Sequence, residues 1–504
     1  MNRPLLQKPA AATLAVTLIL GGCAQSLKRP ERALTVQTPS NWTAAEMPDA
    51  PPDAEWWTYF DDSLLSGAIE RSLERNHDLR AASARIDAAR QQAQVANAAS
   101  LPSLDAGFNR TRQRNNFIGL PIPGGQDSVL TTINTNLGLS LNLSWEADVW
   151  GKVRNGRLAA LVEVQAAEAD LAGARLSLTG QAAKVWFSAL EAKRQVGLAK
   201  AALESYRTSA ERVRARFSSG IRSSLDLRLA LTEVSRAESQ LEQRRQQMDA
   251  AVRQLEILMG DYPKAAYELA EDLPEVPESI PAGLPAELVH RRPDLVAAER
   301  RLLAADAQIA QSRADLKPRF NLTASSGTAT NQLQDILSGD VLVWSLLSGV
   351  TAPIFNNGRL KAQVRTSEAR AYEAAANFES ALLRSYGEVE TALAADRFLA
   401  EQETALEAAT QQAVAAQGLA EDRYRSGLSD IITVLQSQRT AIDSESALLT
   451  VRRARLDNRV DLHLALGGGF SMTSTSPSAL PKSVGPKPSI SASASNSESS
   501  GDTL

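Results

Sequence analysis

Cysteine is nearly absent. Cys23 is the one thiol in 504 residues, which excludes an intrachain disulfide and a thiolate metal cluster. Histidine is scarce too: His77, His290 and His463 lie too far apart to suggest a metal site or a triad, and His77 and His290 read as polar residues near helix starts. No run of ~18 apolar residues occurs, so no membrane-spanning helix is expected in the mature chain. Net charge is only -4, with both signs interspersed and no basic block, so no nucleic-acid partner is implied. With no paired histidines, thiolate cluster or phosphate-binding glycine loop, the chain does not read as an enzyme. Just five methionines occur, and Met1 and Met472 fall outside the helical body, which argues against a methionine-lined copper route.

What is present begins with an export signal. Residues 1–22 contain Arg3 and Lys8, then an apolar core over 10–20, then Gly21 and Gly22 ahead of Cys23. This arrangement resembles a bacterial lipobox. It implies a diacylglycerol and an N-acyl chain on Cys23, and Ala24 after it favours the outer membrane. Such a lipid anchors at roughly 0.8 kcal/mol per buried CH₂ and does not span. No other cofactor is expected.

The chain also repeats itself. NHDLRAASARIDAARQQ, from Asn76, aligns without gaps on RPDLVAAERRLLAADAQ, from Arg292. WEADVWGKVRNGRLAA, from Trp145, resembles TAPIFNNGRLKA, from Thr351, through a shared Asn-Gly-Arg-Leu. RFSSGIRSSLDL, from Arg216, matches RYRSGLSDIITV, from Arg423. Each unit reads helix, strand, strand, helix, helix. The expected helices cover 64–98, 157–217 and 225–259, then 285–316, 359–425 and 431–466. The expected strands are 103–111, 133–145, 319–325 and 341–354, with a loop over 115–128. The resulting division is 1–22 signal, 23–60 lipidated segment, 61–260 first repeat, 261–284 proline-marked linker, 285–467 second repeat and 468–504 Ser-rich disordered tail.

In the first long helix Val164, Leu171, Leu178, Val185, Ala192, Ala199, Tyr206 and Val213 recur every seven residues, the period of a left-handed supercoil. Such helices reach on the order of 90–100 Å. The two shorter helices of each unit together match one long helix, so each continuous helix should lie beside an interrupted one. A solid soluble bundle would satisfy the same pattern.

The strands discriminate better. From Ile133 to Trp145 apolar and polar residues alternate strictly, over more positions than the ~5–6 of a soluble strand and as many as the ~9–11 that cross a bilayer. In lipid an open sheet edge is not tolerated, and four strands per chain are too few to close a barrel, so three chains would supply twelve. Leu137, Leu139, Leu141 and Leu143 would then meet lipid, Trp145 the interface, and Asn134, Asn136, Ser140, Asn142 and Ser144 a wet lumen. One face of a soluble sandwich remains the alternative on pattern alone.

The lipobox, the Glu55-Trp56-Trp57 start with Phe60-Asp61, the duplicated units and the paired Arg-aromatic-x-Ser-Gly turns resemble TolC-like outer-membrane efflux proteins of the lipoprotein branch. The resemblance implies a fold that is mainly α with membrane β. It implies a homotrimer whose twelve-stranded barrel in the outer membrane of a Gram-negative cell continues into a long periplasmic α-helical barrel. It implies the exit duct of a tripartite efflux pump for drugs or other small organic compounds, working with a periplasmic adaptor and an inner-membrane transporter of RND type. It places the periplasmic gate and adaptor contacts at the turns 217–225 and 424–432. The residues so implicated are Phe217, Gly220 and Asp226 at the first turn, and Arg423, Tyr424, Gly427, Asp430, Ile432, Gln436 and Arg439 at the second. The competing function is a periplasmic adaptor lipoprotein with a helical hairpin, against which the duplicated strand pairs count.

Overall fold

The computed structural model describes residues 35–36, 38–44, 54–117, 130–277 and 285–469. Cys23, the signal, most of the tail and the outer part of the expected 115–128 loop lie outside the described residues. The first repeat contains helices α1 (Ser63–Arg75) and α2 (His77–Ala98), strands β1 (Ser103–Phe117) and β2 (Leu130–Ala147), and helices α3 (Lys152–Ser218) and α4 (Ser224–Leu258). The second contains the one-turn α5 (Leu288–Arg291), α6 (Pro293–Ala314), β3 (Arg319–Thr328), β4 (Leu342–Thr351), α7 (Arg359–Arg425) and α8 (Ile431–Ala465). No helix among the described residues is long and apolar enough to cross a membrane, which says nothing of the strands.

Both long helices have 67 residues and both following helices have 35. These equal lengths correct the sequence alignment. The shared Asn-Gly-Arg-Leu is out of register: Gly358 caps the start of α7 at φ 80°, whereas its expected counterpart, Gly156, lies inside α3. The true counterpart is Gly151, at φ 76°, so α3 begins at Lys152 and not at residue 157. Asp148 fixes that start, accepting from the Val153 and Arg154 N–H groups at 3.1 and 2.8 Å.

The helix expected over 64–98 is two helices. Asn76 leaves the helical region at φ −60° and ψ 129°, and its side chain accepts from Asp78 N and Leu79 N. An Asx side chain of this kind satisfies the free donors of a new helix start. Likewise Arg292 breaks the helix expected over 285–316, with Pro293 at the first position of α6. Pro is tolerated there because its missing N–H would have no helical partner.

α3 packs against α2 on one side for part of its length and against α4 for the rest, while α6 and α8 divide the space between α3 and α7. Each continuous helix therefore runs beside interrupted ones, as the lengths suggested. The heptad seam of α3 stays covered: Leu178, Ala199, Tyr206 and Val213 are buried, and Val164, Leu171, Val185 and Ala192 are half-buried. The largest core gathers where the interrupted helices meet. Trp56, Trp57, Phe60, Leu65, Trp186, Phe187, Leu255 and Met259 pack together there. Asp62 joins this core to the chain start, accepting from Leu64 N and Leu65 N through Oδ1 and from Trp186 Nε1 through Oδ2.

The strands form one antiparallel sheet in the order β1-β2-β3-β4. β1 and β4 are its edges, each paired on one side only among the described residues. β1 and β2 run longer than the expected 103–111 and 133–145, so Asn115, Asn116 and Phe117 are strand and not loop. β4 ends at Thr351, short of the expected 354.

Candidate functional site

Directly opposed residues of an antiparallel pair share a face, so the register assigns every strand position. Leu143 opposes Leu104 and Ala324, Leu141 opposes Ala106 and Ser326, and Leu139 opposes Phe108. Trp145 opposes Leu322, and Ala324 opposes Leu346. One face is thus a broad apolar surface, completed on β4 by Leu342, Trp344 (76% exposed) and Val350. The other face carries Ser103, Asp105, Gly107, Asn109 and Thr111 on β1 against Ser144, Asn142, Ser140, Gly138 and Asn136 on β2. It continues on β3 with Asn321, Thr323, Ser325 and Gly327, while Val343 and Leu347 of β4 and Phe117 of β1, paired with Leu130, interrupt it. Apolar side chains left open on one side and hydroxyls and amides on the other invert the arrangement of a soluble half-buried sheet.

Leu137 departs from the expected lipid face: at 7% exposure it is buried within the chain, because Thr330 pairs with it beyond the end of β3. Leu139 and Leu141 are exposed, and Leu143 and Trp145 are half-buried. The Trp145 indole Nε1 donates to Ser100 O at 3.1 Å, holding the ring where the strand meets the helical region. Trp150 does the same through Pro318 O at 2.8 Å, with Lys317 over its ring.

At the far end of the helices, both turns close in the same way. Gly220 (φ 74°) follows α3, with Gly220 N donating to Phe217 O and Ile221 N to Arg216 O, both at 2.9 Å. Gly427 (φ 79°) follows α7, with Gly427 N donating to Tyr424 O at 3.0 Å and Leu428 N to Arg423 O at 2.8 Å. This helix ending requires a left-handed residue, which glycine supplies without steric cost. The next helix is then capped from the turn: Ser223 Oγ accepts from Asp226 N, and Asp430 Oδ1 accepts from both Thr433 N and Thr433 Oγ1 at 2.8 Å. The Thr433 amide, then its hydroxyl, and further off the Arg222 charge hold the Asp430 carboxyl below its ordinary range.

The two turns differ in what their aromatic residue does. Phe217 is 41% exposed, whereas its repeat counterpart Tyr424 is 4% exposed and buried among Ala210, Val213, Ala230, Ile431 and Val434. Arg216 makes the difference. Its guanidinium lies 4.6 Å over the Tyr424 ring and donates to Tyr424 O at 3.0 Å and Arg425 O at 2.9 Å. Arg222 covers the same ring at 5.4 Å and donates to Ser429 O. The first turn therefore grips the second. Above them Gln438, buried, donates to Ser205 Oγ, Ser209 Oγ and Glu421 Oε1 at 2.9 to 3.1 Å.

Sequence reasoning missed Arg216, Arg222 and Gln438. Gln438 left a signal, since it falls in the phase of Ile431, Val434 and Ala441, all buried. Of the residues implicated by resemblance, Ile432 and Gln436 are exposed and line a shallow recess with Thr433 and Thr440. Arg439 lies 3.9 Å from Asp443 one turn on, and Arg423 is exposed. Among the described residues no group of three or more His, Cys, Asp or Glu is placed to hold a metal ion.

A two-faced sheet joined to duplicated long helices with paired turns is matched by the model of the outer membrane efflux protein family over residues 68–261 and 284–468. The chain belongs to that family. The outer membrane protein OprJ of Pseudomonas aeruginosa is 32% identical over 470 residues, covering 92% of this chain and 97% of the relative. The toluene efflux pump outer membrane protein TtgF of Pseudomonas putida is 30% identical over 480 residues, covering 92% and 98%. The solved outer-membrane channel OprN superposes with a TM-score of 0.81 at 26% identity, over 88% of this chain and 99% of that one. As an outer membrane efflux protein the chain is a TolC-like outer-membrane exit channel, in which strands are continued by a helical barrel. The adaptor reading loses its support, because OprJ and TtgF, covered over nearly their whole length, are outer-membrane proteins.

Proposed function

We propose that three copies of the chain close a twelve-stranded barrel and form the passive exit duct of a tripartite pump. The observation that carries this reading is the four-stranded sheet with two unpaired edges, apolar on one face and polar on the other. In hydrocarbon each unpaired backbone group costs several kcal/mol, so β1 of one chain must pair with β4 of another. Leu139, Leu141 and Leu143 then meet lipid, Trp145 marks the inner interface, and the Asn- and Ser-rich face lines the lumen.

The helix turns are the periplasmic entrance. Arg216 and Arg222 lock Tyr424 within each chain, and Phe217, Ile221, Leu225, Leu428 and Ile432, exposed on the tips, form the apolar contact surface for the adaptor or for a neighbouring tip. Asp226, Arg423, Asp430, Gln436 and Arg439 supply its polar contacts. Residues 61–260 and 285–467 are the repeats, 261–284 joins them, and Cys23 after the 1–22 signal takes the acyl chains. The partners are an adaptor and an inner-membrane transporter of RND type. The transported class is small organic molecules, toluene being the one that the name of TtgF gives for that relative, and the route needs no catalysis.

The deciding measurement is the mass of the detergent-solubilised chain by light scattering, corrected for bound detergent. A trimer supports the barrel. A stable monomer would overturn it, since four strands cannot close in lipid.

A further inference from the structure

We propose that Arg110, Arg112 and Arg114 of β1 bind the phosphate groups of an acylated, phosphorylated glycolipid in the outer leaflet around the barrel. This inference rests on the barrel orientation proposed above.

The register places all three guanidinium side chains on the apolar face, continuing the row Leu104, Ala106, Phe108 toward the outer end of the strand. Arg110 opposes Leu137, Arg112 opposes Thr135 and Arg114 opposes Ile133. The water-facing side of the same stretch is occupied instead by Asn109, Thr111, Gln113 and Asn115. The arginines are therefore turned away from the lumen. All three are exposed, and among the described residues none forms an ion pair. Among the described residues the polar contact they make is one long hydrogen bond, from Arg114 Nη2 to Thr131 Oγ1 at 3.5 Å.

Height along the strand gives the chemistry. Trp145 marks the inner interface, and Leu137, level with Arg110, lies eight residues further out on β2. At ~3.4 Å per residue and a strand tilt of ~40°, Arg110 stands roughly 20 Å above Trp145, and Arg112 and Arg114 roughly 25 to 30 Å above it. The apolar band of such barrels is about 25 Å tall. Arg112 and Arg114 thus fall at the outer head-group level, and Arg110 sits about 5 Å below it, a gap its long side chain spans by reaching outward. A cation within the band would be costly, whereas at its upper edge the cost nearly vanishes and an anion reverses its sign. Guanidinium presents paired donors that match phosphate oxygens, and side chains at every second position of one strand offer three such forks about 7 Å apart.

A glycolipid fits better than a free anion because the same face continues downward as Phe108, Leu139, Ala106 and Leu141, a surface for acyl chains. A ligand with phosphate above and hydrocarbon below engages both halves, and free phosphate engages one.

The experiment uses the purified full-length trimer in detergent, whose mass is checked by light scattering before lipid is added. It is titrated with bis-phosphorylated lipid A, and separately with the same lipid stripped of phosphate, with retention read by native mass spectrometry. Wild type should hold the phosphorylated form preferentially and lose it as salt rises. The triple variant Arg110→Gln, Arg112→Gln, Arg114→Gln should bind it roughly 100-fold more weakly. Where that variant does not assemble, Arg112→Gln alone should weaken binding roughly five-fold. Equal retention of the two lipids, or wild-type affinity in the glutamine variants, overturns the proposal. So does full displacement by millimolar inorganic phosphate, which would make this a free-anion site. A monomer before lipid addition overturns the barrel reading, whereas an intact trimer without phosphate dependence overturns this proposal alone.

Discussion

Asp457 shows how one carboxylate inside a helical wall ties stability to pH. Burial pushes its pKa up to about 6, against the pull of Arg453 and Lys184, and Asp461 and Glu191 add to the rise. An unfolded aspartate titrates near ~3.9, so between pH ~4 and 6 the folded state holds the extra proton. Stability from this group is therefore present at low pH and is lost as pH rises through that window. Asp457→Asn should remove the dependence: thermal melts of wild type relative to the variant should fall from pH 4 to 7, by at most ~2–3 kcal/mol. Parallel profiles would show that Asp457 keeps an ordinary pKa. Strand residues give a second expectation at this scale. Leu141→Asp places a charge in lipid and should reduce trimer in the membrane severalfold, while Asn142→Asp, one position along, should be tolerated. Equal tolerance, read from membrane-extracted trimer on seminative gels, would reverse the face assignment.

At the scale of elements, the paired turns invite a test that separates cap from charge. Asp430 both starts α8 and carries a negative charge beside Arg222. Asp430→Ala combined with Arg423→Ala should loosen the tip and raise single-channel conductance. Asp430→Asn keeps an acceptor for Thr433 N and removes the charge. If capping holds the tip, the asparagine variant should conduct like wild type; if charge does, it should conduct like the alanine variant. Tyr424→Ala should empty a pocket at the four-helix tip at a cost of ~3–5 kcal/mol, and measured conductance unchanged from wild type would remove this grip from the gate.

Much of this architecture could be read directly from residue order. The two long helices (though not the start of the first), the four strands and the glycine turns follow from period, alternation and φ > 0 requirements, all of which are local. What escaped was set by partners distant in sequence. Asn76 reads as one more polar residue on a helix until Leu258 O accepts from its Nδ2 at 3.2 Å and fixes the break. Leu137 keeps the alternation of its neighbours, and only the extra pairing with Thr330 covers it. Arg216 aligns with Arg423 in the repeat, yet contacts over 200 positions away give them different work. The false Asn-Gly-Arg-Leu register arose because four matching letters outweighed the helix lengths that actually equate the repeats.

For the whole molecule, the anchor and the assembly are separable. Cys23→Ser should abolish acylation, read by intact mass, while leaving the trimer intact by light scattering, because the barrel and helices hold the chains together without the lipid. Acyl chains still present on the serine variant would refute the lipid site. Assembly instead depends on the two bare edges, β1 and β4. Because each barrel needs sound edges and faces from three chains, a single defective chain spoils two good ones. A cell making Leu141→Asp and wild type equally would be left with roughly one fully wild-type barrel in eight, if chains mix at random. Lesions in these strands that still let the chain enter mixed trimers should therefore be genetically dominant, whereas those that prevent the chain from reaching assembly at all should be recessive.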